Sequence, residues 1–390
     1  MARITFRRLS IVWLALFAVF ALVAASCGDD DDDDSAPSTA TQTQAPDPEP
    51  APDPDPEETA EPEEAAEPEP DPEETAEPAP EPEPEETAEP LQVAYLSASS
   101  ANTWLLASRQ QMETVAAANN VELTEFDAQF DPGLQATQFQ DVIASGNYDG
   151  VVLVAITGIA TAPDIADALD AGLEVVTLNQ VVGEDFTTSD PQVPGVSANV
   201  MAAPFVNGQR YGQLTVQACA DLDPCEVVYI YGIKGLPLDD ALRSGFDEVI
   251  ADHPNITVVA EGEGQYLGPE GGINATQDIL QVSPDFDVLV GADQSVQGAE
   301  IVLAEEGKLD QVSLIGLGGS APAIEAIADG RWFGGVFGAP GDEGRIAMEA
   351  MVSVLTGGRD FGGVDPLVDL PDNGLITADN VDLFTPQWDG

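Results

Sequence analysis

Positive charge is nearly missing from this chain. Its 390 residues hold 11 Lys and Arg and one His against 71 Asp and Glu, a formal net charge of −60. Nucleic acid and anionic lipid faces are held by Lys and Arg, so neither is expected as a partner. The single histidine, in Asp252-His253-Pro254, leaves little support for a Ser-His-Asp arrangement. Cysteine is equally sparse, with three. That excludes a disulfide-built scaffold and, with the lone histidine far off in sequence, a zinc half-site. No apolar run reaches the roughly 20 residues that a membrane-spanning helix needs. Gly262 and Gly264 fit no dinucleotide fingerprint. Gly316-Leu317-Gly318-Gly319-Ser320 is not the Gly-x-Ser-x-Gly of a nucleophile elbow. No cofactor, no metal and no catalytic residue is expected, and an enzyme is disfavoured.

What is present begins with the leader. Arg3, Arg7 and Arg8 precede an apolar run from Ile11 to Val23, and Ala24-Ala25-Ser26-Cys27 follows. Basic residues, a short apolar segment and small residues are the layout of a secretory signal peptide. The cysteine after them resembles the lipobox of bacterial lipoproteins, with Ala24 where leucine is usual. That resemblance implies removal of residues 1–26 and acylation of Cys27. The protein would then be extracytoplasmic and anchored to the bacterial cell membrane. Arg7-Arg8 also raises twin-arginine export, which Leu9-Ser10-Ile11 supports weakly.

Residues 27–90 are Asp, Glu, Pro, Ala and Thr with almost no large apolar side chains, and Glu-Glu-Thr-Ala-Glu-Pro recurs at Glu57, Glu73 and Glu85. Such a segment cannot bury enough surface to offset ordering entropy and is expected to be a disordered spacer. Proline stiffness and charge repulsion would extend it by up to about 3 Å per residue. Beyond it, Cys219 and Cys225 are an even, closely spaced pair. In an oxidising compartment they are expected to form a local disulfide.

Residues 91–390 have globular composition and a length natural for two lobes. The pattern alternates: strand at Val93 to Leu96, helix from Trp104 to Ala118, strand at Val121 to Phe126, helix from Leu134 to Ala144. Strand at Val151 to Val154, helix from Ile159 to Ala171 and strand at Val175 to Leu178 follow. After an irregular stretch the alternation restarts at Phe205 and runs to Asp329. Short buried strands between helices predict an α/β fold of two doubly wound parallel-sheet lobes. Ligands in such sheets sit beyond the carboxyl ends of the strands.

Several pieces in order resemble the type 1 periplasmic sugar-binding proteins of ABC importers, the ribose-binding-protein kind, over about residues 92 to 360. Val93-Ala94-Tyr95-Leu96-Ser97 leading to Asn102-Thr103-Trp104 is similar to the first strand and its aromatic loop. Gln135-x-x-Gln138 and Asp149-Gly150-Val151-Val152 are similar to the second helix and third strand. Gly172-Leu173-Glu174-Val175-Val176-Thr177 is similar to the approach to strand four. Arg243-x-Gly245-Phe246 resembles a helix of the second lobe, and Gly291-Ala292-Asp293 with Gly298-Ala299 resembles the NDxxAxGA loop.

The resemblance implies a monomeric clamp with a three-strand hinge. Lobe 1 would take about 91–198 and 339–365, and lobe 2 about 199–338 and 366–390. It would capture a sugar or sugar-like solute and deliver it to a separate permease. A tethered sensor presenting a signal molecule to a receptor is the alternative. Trp104 would stack on a sugar face, or simply pack at the helix start. Asn102 and Thr103 could cap that helix, bind ligand, or both. Asn179, with Gln180 beside it, follows strand four, where an amide can read a hydroxyl. Asp240, next to Asp239, falls where the family places a ligand-binding Arg, though first-turn acids are also good helix chemistry. Tyr266 would be the opposite jaw, and Asp293 pocket or cap. Arg243 would support its helix. Ala155, Gly318 and Gly338 depart from the Asn, Asp and Gln that ribose binders present, which opens the site to a less polar, larger or cationic ligand.

Overall fold

The computed structural model describes residues 89–390. The expected leader, the Cys27 anchor and all but the end of the spacer lie outside these residues.

The first sheet grows from short apolar runs. β1 (Leu91–Ser97), β2 (Val121–Asp127), β3 (Gly150–Leu153), β4 (Glu174–Leu178) and β5 (Ala198–Val200) alternate with α1 (Thr103–Ala118), α2 (Pro132–Ser145) and α3 (Ala162–Asp170). Val93 to Leu96 and Val151 to Leu153 have no solvent exposure, as parallel strands covered on both faces require. Val93 and Tyr95 pack with Leu105 and Met112 of α1; Ala94 and Leu96 pack with Phe139 of α2 and Ile165 of α3. The period-two alternation of a strand thus feeds two separate cores. The expected helix from Ile159 is divided: a 3₁₀ turn holds Gly158–Thr161, and α3 begins at Ala162 with Pro163 in its first turn. Proline there lacks only an N–H that a helix start leaves unpaired.

The second sheet repeats the plan. α4 (Pro204–Ala218), β6 (Cys225–Tyr231), α5 (Pro237–Ile250), β7 (Ile256–Glu263), α6 (Pro269–Val282), β8 (Val288–Ala292), α7 (Asp293–Glu305), β9 (Ser313–Gly318), α8 (Ala321–Ala328) and β10 (Gly334–Phe337) follow in turn. The chain then returns to the first sheet. α9 (Pro340–Leu355) packs Ala347, Met348 and Met351 into the core that holds Val93, and β11 (Gly363–Val364) pairs with β5. It ends on the second sheet with β12 (Leu375–Thr377), antiparallel to β10. The strand orders are β11-β5-β4-β3-β1-β2 and β12-β10-β9-β8-β6-β7. Three crossings join the lobes: Val200 to Pro204, Phe337 to Pro340, and Val364 to Leu375.

Cys219 and Cys225 are bonded, S–S 2.04 Å, tying the end of α4 to the start of β6. Among the described residues no helix is long and apolar enough to cross a membrane.

Candidate functional site

Each sheet reverses its strand order beside its first strand, so the loops after β1, β3 and β4 face those after β6, β7 and β8. Between them lies a cleft of about 1140 Å³, its open mouth included. Asn102, Trp104, Asn179, Gln180 and Tyr266 all line it.

Trp104 stands in the first turn of α1, which Asn102 caps by accepting from Leu105 N at 2.9 Å. Its indole Nε1 donates to Glu343 Oε2 at 2.9 Å. Asn179 holds a left-handed backbone, φ 64°, which asparagine tolerates better than most residues, and its Nδ2 reaches the same Glu343 oxygen at 3.3 Å. Gln180 Nε2 donates to Asn179 Oδ1 at 3.2 Å. On the other lobe, Tyr266 donates its hydroxyl to Asp239 Oδ1 at 2.7 Å. Asp239 also accepts from Gly232 N at 2.8 Å and Ile233 N at 3.1 Å.

The lobes touch across the cleft. Asn102 Nδ2 donates to the Tyr266 carbonyl at 2.7 Å, and Gln294 Nε2 donates to Thr103 Oγ1 at 2.8 Å. Thr103 therefore joins the lobes rather than lining the cavity. Asp240 is exposed on α5 and does not line it; its neighbour Asp239 does. The first turn of a helix sends successive side chains about 100° apart, so only one of the pair can face the cleft. Asp293 is buried behind the wall. Its Oδ2 accepts from Ser320 N at 2.8 Å, and its Oδ1 has no partner. Arg243 reaches Asp247 at 2.8 Å, Glu261 and the Tyr231 hydroxyl, away from the cleft.

Among the lining residues that escaped sequence reasoning are Glu343 and Trp388. Glu343 sits in the first turn of α9, where an acid suits any helix. Trp388 comes from the tail, and its ring meets Trp104 edge-on with centroids 5.4 Å apart. Neither carries a local sequence signal for a cleft; only the third crossing and α9's return bring them there.

The electrostatics follow from burial without cations. Desolvation pushes the Glu343 carboxyl up to about 8, against the opposing bonds from Trp104 and Asn179. Asp293 is pushed to about 7 and Asp239 to about 6, again by burial. Among the described residues no Lys, Arg or His lines the cleft. At neutral pH Glu343 keeps its proton and can donate as well as accept. The described lining also holds no Ser, Thr or Cys. Aromatic rings, amides and protonated acid are the groups that hold C–H faces and hydroxyls.

A family model described as a periplasmic binding protein domain matches residues 93–359. A xylitol-binding protein of Mycolicibacterium smegmatis is 24% identical over 286 residues, 72% of this chain and 76% of that protein. The ribose import binding protein of Bacillus subtilis is 24% identical over 264 residues, 67% of this chain and 81% of that protein. An ABC transporter solute binding protein of Mycobacterium smegmatis, solved with bound glycerol, superposes with a TM-score of 0.65 at 26% identity, over 77% of this chain and 99% of that one. With two doubly wound sheets, a cleft at their strand ends and a family match across most of the folded region, the chain belongs to the periplasmic binding proteins.

Proposed function

We propose that this is the extracytoplasmic substrate-binding lipoprotein of an ABC importer, and that its cleft closes on a small neutral polyhydroxylated solute, a sugar or polyol. The observation that carries the solute class is the lining: Trp104 with its N–H fixed on Glu343, the amides Asn179 and Gln180 beside it, and no Lys, Arg or His among the described lining residues. An anionic solute would meet buried acids in the lining, with the buried Arg210 guanidinium set behind Asn207 rather than in the wall. Relatives named for xylitol and ribose, and one solved with glycerol, support the same class. Lobe 1, about 91–198 and 339–365, and lobe 2, about 199–338 and 366–390, would close as a hinge. The protein would act as a monomer tethered through Cys27, with the acidic spacer holding it off the membrane.

The test is a thermal-shift series on the soluble chain from Gly28 with glycerol, xylitol, D-ribose and myo-inositol, against amino acids and polyamines. A solute that binds only the folded state stabilises it by about 2.7 kcal/mol at a hundredfold excess over Kd, a shift of a few degrees. A polyol or sugar hit that Trp104→Ala abolishes is the expected result. Stabilisation by amines alone would sink the neutral-solute reading.

A further inference from the structure

The C-terminal tail reaches the cleft too, through Trp388. Gln387 brackets the first turn of α9: its Oε1 accepts from Asp342 N at 2.9 Å, and its Nε2 donates to Asp342 Oδ2 at 2.6 Å. The next residue is held by the other lobe. The Trp388 carbonyl accepts from Ala321 N at 3.0 Å, and its indole N–H donates to the Gly318 carbonyl at 2.8 Å. Fixed at both ends and 7% exposed, the indole stands against Trp104 at 67°.

Two glycines make room for this pair. A Cβ on Gly318 would lie 2.5 Å from Trp388 Cζ2 and 2.8 Å from Asp293 Oδ2. A Cβ on Gly338 would collide with the Trp104 ring. These are two of the positions where ribose binders are expected to present polar side chains. Here indoles from elsewhere in the chain fill that volume. Asp293 lies behind one of them, buried, with Oδ2 on the Gly318 side bonded to Ser320 N and the unpartnered Oδ1 on the side of Gly316 and Trp332.

We infer that Trp388 is a specificity-determining wall: it seals the Asp293 end of the cleft, so that the site favours a short polyol over a hexopyranose. The inference rests on the cleft being the solute site. Without the indole, the space beside Gly318 opens onto Asp293 Oδ2, which accepts one bond from Ser320 N and has a second lone pair to read the longer solute.

Titration calorimetry on the mature chain, with xylitol and D-allose as probes, decides it. Trp388→Ala is expected to raise affinity for D-allose at least about tenfold relative to xylitol, the scale on which pocket shape discriminates. Adding Asp293→Asn to Trp388→Ala removes that gain, and Trp388→Phe keeps the wild-type order. A folded Trp388→Ala protein, judged by circular dichroism, with an unchanged ratio overturns the inference. So does a gain that survives Asp293→Asn. Should Trp388→Ala not fold, Trp388→Leu vacates part of the same space and is read by the same ratio. A wild-type protein that binds D-allose as tightly as xylitol also overturns the inference, whereas one that binds no sugar or polyol of the thermal-shift series sinks the proposed solute class instead.

Discussion

Glu343 is bonded to a tryptophan 239 residues before it, and neither residue predicts the other. What could be read at this scale were the positions that follow strands: Asn102, Trp104, Asn179, Gln180 and Tyr266 all reach the cleft because loops at strand carboxyl ends converge there. Asp239 and Asp240 could not be separated, since the choice depends on the rotation of α5. Glu343 has a consequence for stability. Unfolded, it loses its proton near its ordinary 4.5; folded, it keeps it up to about 8. The folded state binds more protons across that window, so stability falls as pH rises from about 4.5 to about 8 and levels off above it. Glu343→Gln is expected to remove a few kcal/mol of this slope. Urea midpoints measured at intervals from pH 4.5 to 8.5 check it, and an unchanged slope would place the titration elsewhere.

At the level of helices and strands, alternation was enough to place the long elements, because a buried parallel strand must be a short apolar run between helices. It could not place β5, β11 or β12, which have two or three residues each and hold their position through pairing alone. One helix contact shows how tightly the elements are specified. α4 and α5 cross with Gly208 against the Leu242 carbonyl and Gly245 against the Phe205 carbonyl and Gln209 N. A methyl group at either glycine strikes backbone, which cannot turn aside. Gly245→Ala should therefore destabilise by about 1–3 kcal/mol despite its better helix propensity. Gly358→Ala, whose added carbon would find its nearest atom at 3.5 Å, is the control, expected within about 0.5 kcal/mol of wild type. Equal denaturation midpoints for the two variants would contradict this account of the crossing.

For the whole molecule, the two-lobed plan was legible from the restart of alternation at Phe205, whereas the tail's place in the cleft was not. The tether belongs to this scale too. Cys27→Ser is expected to shift the protein from the membrane fraction to the soluble fraction on cell fractionation. Retention in the membrane would count against acylation at that residue.

The bonds that hold the lobes together join no pair of opposite charges: an amide on a carbonyl, an amide on a hydroxyl, an amide on the Asp342 carboxylate, ring on ring. Among the described residues no ion pair spans the two lobes, while residues 91–390 carry 45 acids against eight bases. Ionic strength therefore acts on closure in one direction. Salt screens the mutual repulsion of two anionic bodies beyond about 8 Å at 0.15 M and acts far less on short hydrogen bonds and ring contacts. A clamp fastened by ion pairs would loosen in brine; this one tightens.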